Sequence, residues 1–273
     1  DGSRTILNFW DKDGKQIAES GNGVLKYYYE SGSIREESTL SNGLRNGNTT
    51  RYFESGQVKY RGYFENGVLS GNWKYWYSNG ALWKKMSFKE GEIDGLYELY
   101  YSNEQLSRSG EYKNNFRNGN WEAYFENGDL DWKGSYLEGK EQGHWEVYFS
   151  NGNLESEGQY EKGLKNGSWT YYFESGKKFR FGHYLNDTED GKWTSWWENG
   201  QVFTDGSYNL GLEEGLWTSY FETGKLKDQG SFKSGQLDGK WEGWFEAGYP
   251  KYSGEWSTGM KTGNWMFWYP KTV

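Results

Sequence analysis

The chain has 273 residues, of which 34% are hydrophobic and 21% are Phe, Trp or Tyr, so aromatic rings make up most of what can be buried. Thirty-nine acids against 31 Lys and Arg give a net charge of −8 without a basic block, which argues against nucleic acid as a partner because phosphate neutralisation needs clustered cations. The absence of Cys excludes disulfides, thiolate metal sites and cysteine nucleophiles, and no apolar run approaches the roughly 18 residues of a membrane span.

Residues 1–22 are aperiodic. They hold one hairpin candidate, Ile6 to Trp10 and Lys15 to Ala18 around Asp11-Lys12-Asp13-Gly14, read as an N-terminal cap over the first strand edge. From Gly23 a glycine recurs every 24 residues through Gly263 without insertion or deletion, giving ten repeats over 23–262 and a truncated eleventh over 263–273. A fixed period of this size predicts a repeat array. The 40 Gly and 2 Pro suit a chain that turns often but keeps its backbone donors for sheet pairing.

With that glycine as position 1, position 3 is Trp in eight of eleven repeats, positions 6 and 7 are always aromatic, and position 10 is Gly in nine of ten. Asn-Gly pairs such as Asn127-Gly128 predict type I′ hairpin turns at positions 9 and 10. Counting outward pairs 7 with 12, 5 with 14, 3 with 16 and 1 with 18. Position 16 is Gly in eight of ten repeats and 18 is aromatic in nine, so large meets small at each rung. If 18 also pairs with the next position 1, Gly158 lies between Trp145 and Trp169, with rings shielding bare backbone. Ser38 replaces Gly where its neighbours are Leu25 and Thr49, whereas Met86, between Trp73 and Tyr97, breaks the pattern. The expected fold is all-β: an elongated array of antiparallel hairpins in a largely single-layered, twisted or coiled meander sheet. One face collects positions 3, 5, 7, 12, 14, 16 and 18. The other is polar except for a spine at position 6: Tyr28, Tyr52, Trp76, Tyr100, Tyr124, Tyr148, Tyr172, Trp196, Tyr220, Trp244 and Trp268.

Stretches such as GNWEAYFENGDLDWKGSYLEGK from Gly119 and GKWTSWWENGQVFTDGSYNLG from Gly191 resemble the MORN repeat variant of the YwqK-type antitoxin family, over about 250 residues. That resemblance implies a sheet of hairpins and a binding role, either neutralising a toxin or scaffolding at a membrane or envelope. Glu104, Asn115 and Asp187 depart from the pattern and put their hairpin tips in doubt. The chain is also similar to choline-binding and clostridial-toxin aromatic repeats, whose period is nearer 20 and whose Gly and Trp are adjacent.

Catalytic and metal chemistry find little foothold. His144 and His183 sit at positions 2 and 17 of different repeats and read as solvent-facing strand residues. Asp11-Lys12-Asp13-Gly14 lacks the further acids of a calcium loop and reads as a hairpin tip. Glu at position 8, present in seven of ten repeats, supplies like environments where a glycosidase needs unlike ones. No enzyme activity, cofactor, metal or catalytic residue is therefore expected. The position 6 spine, from Tyr52 to Trp268, is the candidate partner-binding surface, read either as cross-strand support or as stacking platforms for a glycan or an extended peptide. The leading expectation is a scaffold for a protein partner, with a glycan- or cell-wall-binding module as the alternative. The last strand, Trp265 to Tyr269, is a candidate for edge pairing with another chain. Because the chain begins at Asp1 rather than Met, a cleaved export signal and a shortened chain both fit; an extracellular or envelope location is expected over a cytoplasmic one.

Overall fold

A computed structural model describes residues 6–11 and 13–269. Asp1, with the question of export, lies outside the described residues, as does Lys12 of the first tip. Every regular element among the described residues is a β-strand. The chain divides into two units, 1–140 and 141–273. The first carries β1 (Phe9–Trp10), β2 (Gln16–Glu19), β3 (Asn22–Tyr28), β4 (Ile34–Ser41), β5 (Leu44–Tyr52), β6 (Val58–Glu65), β7 (Val68–Trp76), β8 (Leu82–Lys89), β9 (Glu92–Tyr100), β10 (Leu106–Lys113), β11 (Phe116–Tyr124) and β12 (Leu130–Leu137). The second carries β13 (Lys140–Tyr148), β14 (Leu154–Glu161), β15 (Leu164–Tyr172), β16 (Lys178–Leu185), β17 (Thr188–Trp196), β18 (Val202–Asn209), β19 (Leu212–Tyr220), β20 (Leu226–Lys233), β21 (Gln236–Trp244), β22 (Pro250–Ser257) and β23 (Met260–Phe267). Within each unit, strands pair antiparallel with their sequence neighbours, so each is a meander of hairpins.

The predicted rungs hold in the body of the hairpins. Gly143 faces Tyr160, Trp145 faces Gly158 and Val147 faces Ser156. The predicted turn does not. Position 7 donates its N–H to the carbonyl of position 11 and accepts from the N–H of position 10, as in Phe149 with Asn153 and Gly152. Only position 10 has positive φ, so the tip is a type I turn followed by a glycine bulge rather than a type I′ turn. The extra loop residue slips the register, and position 12 faces position 6, as Leu154 faces Tyr148, instead of position 7. Asn at position 9 still matters, because its side-chain oxygen accepts the N–H two residues on, as Asn151 does from Asn153 at 2.9 Å.

The type I′ turn lies at the opposite end of the hairpins. Positions 20 and 21 both have positive φ, as in Asn66 (48°) with Gly67 (85°) and Lys162 (53°) with Gly163 (88°). Position 18 consequently pairs with position 23 of its own repeat, Tyr160 with Lys165, and not with the next position 1. The recurring glycine at position 1 absorbs the slip in a positive-φ bulge, such as Gly167 at 93°. Past that bulge Gly158 does face Trp169, as expected.

Tips at the three doubtful positions are intact. Glu104 takes the left-handed conformation in place of glycine, at φ 67°. Asn115 and Asp187 do the same, and each adds a side-chain bond to the preceding tip, to the N–H of Ile93 at 2.7 Å and of Lys165 at 2.6 Å. Tip-to-tip bonds are general: the position 21 N–H donates to the position 23 carbonyl of the repeat before, as Gly163 does to Glu141 at 2.9 Å.

Within each unit, the glycine at position 16 is covered from one side, by the indole of the following repeat. A Cβ on Gly182 would lie 2.0 Å from Trp193, and one on Gly158 would lie 2.2 Å from Trp169. That asymmetry explains the exceptions. Gly stands at 16 wherever the next position 3 is Trp; Ser38 precedes Thr49, and Met86 precedes Tyr97, whose smaller ring leaves room for a side chain.

Before the first repeat, the expected hairpin is present but shorter, with β1 reduced to Phe9 and Trp10. Ile6 and Leu7 instead bond to Gly43 and Gly21 at two neighbouring tips. Ile6, Phe9 and Tyr27 pack on the buried Ala18, Leu25 and Leu40.

Four variants test these constraints by chemical denaturation. Gly182→Ala forces a methyl into the Trp193 ring and is expected to cost roughly 1–3 kcal/mol, while Gly182→Met with Trp193→Tyr, copying Met86 and Tyr97, loses less than Gly182→Met alone. Glu104→Gly relieves left-handed backbone and is expected to gain about 1 kcal/mol.

Candidate functional site

Two sheet faces and one edge are available for function. On the first face, indoles at position 3 alternate with rings at position 18 in edge-to-face contact. In the second unit the series runs unbroken from Trp145 through Tyr160, Trp169, Tyr184, Trp193, Tyr208, Trp217 and Phe232 to Trp241, with centroids 5.0–6.3 Å apart. Each such contact adds about 0.5–1.5 kcal/mol beyond the area it buries. The indole nitrogens of Trp121, Trp169 and Trp193 donate to the carbonyls of Glu111, Gln159 and His183, each at 3.1 Å, whereas that of Trp265 in the last strand is buried without a partner. This face is a core spread thin, and its rings are largely committed to one another.

Sequence reasoning missed the cations set into this layer. Lys165 lies 4.1 Å above Trp169 and bonds the Tyr171 hydroxyl at 2.8 Å, and its burial pulls its pKa down. Arg117 lies over Trp121, Arg180 over Trp193 and Lys261 over Trp265. In the first repeats, where Trp is lacking, a buried Glu36 takes over and binds Arg45, Tyr60 and Ser38. The only signal in the sequence was that positions 14 and 23 vary inside an otherwise fixed frame.

The second face carries the predicted spine. Tyr52, Trp76, Tyr100 and Tyr124 in the first unit, and Tyr148, Tyr172, Trp196, Tyr220 and Trp244 in the second, are half-buried, and Trp268 is exposed. Several hydroxyls are held by carboxylates of the same face: Tyr52 by Glu37, Tyr100 by Glu98, Tyr124 by Glu122, Tyr148 by Glu146 and Tyr172 by Glu157. The row is therefore rings tied to charged rungs, with Lys26 on Glu37 and Lys85 on Glu98 completing two of them. His144 lies 3.3 Å from Glu146 and 3.6 Å from Glu157, while His183 contacts Ser168, so the two histidines share no partner among these contacts. Asp11 accepts the N–H groups of Asp13 and Lys15, as a hairpin tip requires.

The edge formed by the type I′ tips was not anticipated. Val68, Phe116 and Leu137 in the first unit, and Leu164, Leu185, Leu210 and Leu212 in the second, are exposed along it, while Leu96 and Leu216 are exposed at the middle of β9 and β19. Phe116 and Leu137 flank a hollow of about 380 Å³ together with Lys113, Asn114, Asn118 and Glu138. The signal in the sequence is at position 22, which is Leu, Val, Phe or Met in six repeats.

Hairpins of one design, joined at both ends by fixed turns and carrying variable residues on a common frame, define a β-hairpin repeat scaffold. The chain belongs to the MORN repeat variant family, which matches it at 21–42, 45–66, 69–90, 93–114, 141–162, 189–210 and 213–234, more than half of its length. No curated protein matches it. Among solved structures it aligns with the TcdB2-TccC3-Cdc42 crystal structure (9% identity, 91% of this chain and 18% of that one, TM-score 0.18). It also aligns with TcdB2-TccC3 without its hypervariable C-terminal region (10%, 90% and 18%, 0.20) and with the Photorhabdus luminescens Tc holotoxin pore (10%, 91% and 16%, 0.19). It spans less than a fifth of each of those chains. Among the described residues no helix is long and apolar enough to cross a membrane.

The tyrosines make the fold sensitive to alkali. The Glu122 bond, with burial, pushes Tyr124 up to about 12; burial, with the Glu157 bond, does the same to Tyr172, and burial, with the neighbouring Tyr60, to Tyr75. An unfolded tyrosine ionises near 10, so between those values the unfolded chain has lost protons that the native chain keeps. Stability is full below pH 10 and falls as pH rises towards 12. The denaturation midpoint is expected to drop between pH 9 and 11.5, and to drop less in Tyr124→Phe.

Proposed function

We propose that the chain is a non-enzymatic scaffold that holds a protein partner along the edge of its type I′ tips. The observation that carries this reading is the run of exposed apolar side chains there, repeated from hairpin to hairpin: Val68, Phe116 and Leu137 in one unit, Leu185, Leu210 and Leu212 in the other. Soluble proteins seldom leave such rows uncovered unless another molecule covers them. A repeat frame suits the task, because each hairpin presents the same backbone with different side chains. The resemblance to YwqK-type antitoxins supports a toxin or an envelope component as the partner class.

A glycan reading of the position 6 spine stands second. The hydroxyls of Tyr100, Tyr124 and Tyr172 are bound to carboxylates, which gives those rings work in holding the sheet. Trp76, Trp196 and Trp244 are the members with which a sugar ring would stack.

Capture from native extract separates the readings. The scaffold predicts a saturable, stoichiometric protein complex that weakens at least tenfold in Phe116→Asp with Leu137→Asp, both exposed, in a variant whose circular dichroism is unchanged. Retention on polysaccharide or choline resin with no protein partner, lost when Trp76, Trp196 and Trp244 become Ser, would overturn it in favour of the spine.

A further inference from the structure

Two hollows in the first unit occupy the same place in their hairpins. One, of about 380 Å³, lies between the tips at 113–116 and 137–138 and is flanked by Phe116 and Leu137. The other, of about 320 Å³, lies between the tips at 65–68 and 90 and is flanked by Val68. Val68 and Phe116 both stand at position 22, and both are exposed. At the tip between them position 22 is Glu92 and position 20 is Glu90. These two are also exposed, and neither carboxylate has a hydrogen bond or ion pair among the described residues. Successive tips along this edge therefore read apolar, acidic, apolar.

Backbone chemistry and spacing limit what can lie across such tips. A strand adds to a sheet beside its outermost strand, where free N–H and C=O groups run in a row, and hairpin tips offer no such row. Their N–H groups are already taken: Gly91, Asn115 and Gly139 donate to the carbonyls of Leu69, Ile93 and Arg117, each at 2.9 Å. A segment laid there must close its own backbone bonds, as an α-helix does. Two strands separate one tip from the next, about 9.6 Å, so the two hollows stand about 19 Å apart. Seven residues of helix rise about 10.5 Å and bring a side chain back to nearly the same face, and fourteen rise about 21 Å. An extended chain covers one tip spacing in about three residues and would turn opposite faces to successive tips.

We infer that the type I′ edge of the first unit receives one α-helix of the partner protein, laid across the tips, with an apolar side chain in each hollow and a lysine or arginine midway between them over Glu90 and Glu92. The apolar residues stand fourteen positions apart on the helix and the basic residue seven from each. Apolar side chains anchor the helix, and the carboxylates fix its register by opposite charge. The inference rests on the protein-partner reading and names the segment that the edge holds.

A three-heptad peptide with capped ends provides the test on the full chain. It is alanine and glutamine throughout, except for leucine at its fourth and eighteenth positions and lysine at its eleventh. Every regular element among the described residues is a strand, so helical circular dichroism gained on mixing comes from the peptide. That gain should saturate, and the same peptide with glutamate in place of lysine should bind at least fivefold more weakly. Glu90→Lys with Glu92→Lys should reverse the preference; other repeats already carry lysine at these positions, at Lys162 and Lys140. Val68→Asp with Phe116→Asp should weaken both peptides at least tenfold, with the strand spectrum of the chain unchanged. No gain of helix, equal binding by a peptide broken with proline at its eighth and fourteenth positions, or a preference that the lysine variant leaves as it was would overturn the helix. Partner capture separates the two levels: capture undiminished in Val68→Asp with Glu92→Lys removes the helix and leaves the scaffold, whereas peptide binding with no protein captured from extract removes the scaffold and leaves a helix-binding edge.

Discussion

An indole laid over a bare α-carbon is the contact on which this molecule depends. A sheet exposed on both sides has no second layer to bury its apolar surface, so shielding must come from side chains lying flat along it. Trp at position 3 does this by crossing onto the previous hairpin, where only glycine leaves the space, and its N–H takes a carbonyl there, as Trp169 takes that of Gln159. The contact is always between consecutive repeats. Stability is therefore a matter of neighbours, as expected of quasi-one-dimensional proteins.

The two edges are laced differently. At the type I ends, tyrosine and tryptophan at position 7 reach the next repeat, as Tyr77 reaches the carbonyl of Tyr100 and Trp197 that of Tyr220. At the type I′ ends, backbone N–H groups reach back one tip, and position 24 side chains such as Gln142 and Glu214 accept from the tip that follows. Polar lacing satisfies the backbone along both edges and leaves side chains at positions 19, 20 and 22 free to point outwards. That freedom is what makes the second edge available for binding.

Much of the fold was legible because the period is strict. Rungs 1 with 18, 3 with 16 and 5 with 14 follow from symmetry between large and small residues, whatever the turn. Turn type was not legible from Asn-Gly, since that pair fits both a type I′ turn and a type I turn closed by a glycine bulge, and the two differ by one loop residue. Even so, the rungs beyond the bulge were recovered, because a second slip at the recurring glycine restores the alignment of Gly158 with Trp169. Met86 breaks the pattern if glycine serves both flanking rings; because only the following ring lies on position 16, Tyr97 explains it. The cations over the rings and the apolar edge were illegible for another reason. Both lie at positions that change from repeat to repeat, and a search for regularity passes over them.

The direction in which the indole leans also fixes what can be copied. A segment cut at the recurring glycine separates each position 16 from the ring that covers it, so splicing such segments from different places would set an indole against Met86 or Ser38. A segment cut at the type I tips, from Asn151 to Glu174 for instance, keeps each matched pair together, here Gly158 and Trp169. The inheritable brick of this array is therefore the hairpin around the type I′ turn, and gain or loss of bricks at the other end lengthens or shortens the protein without repacking it.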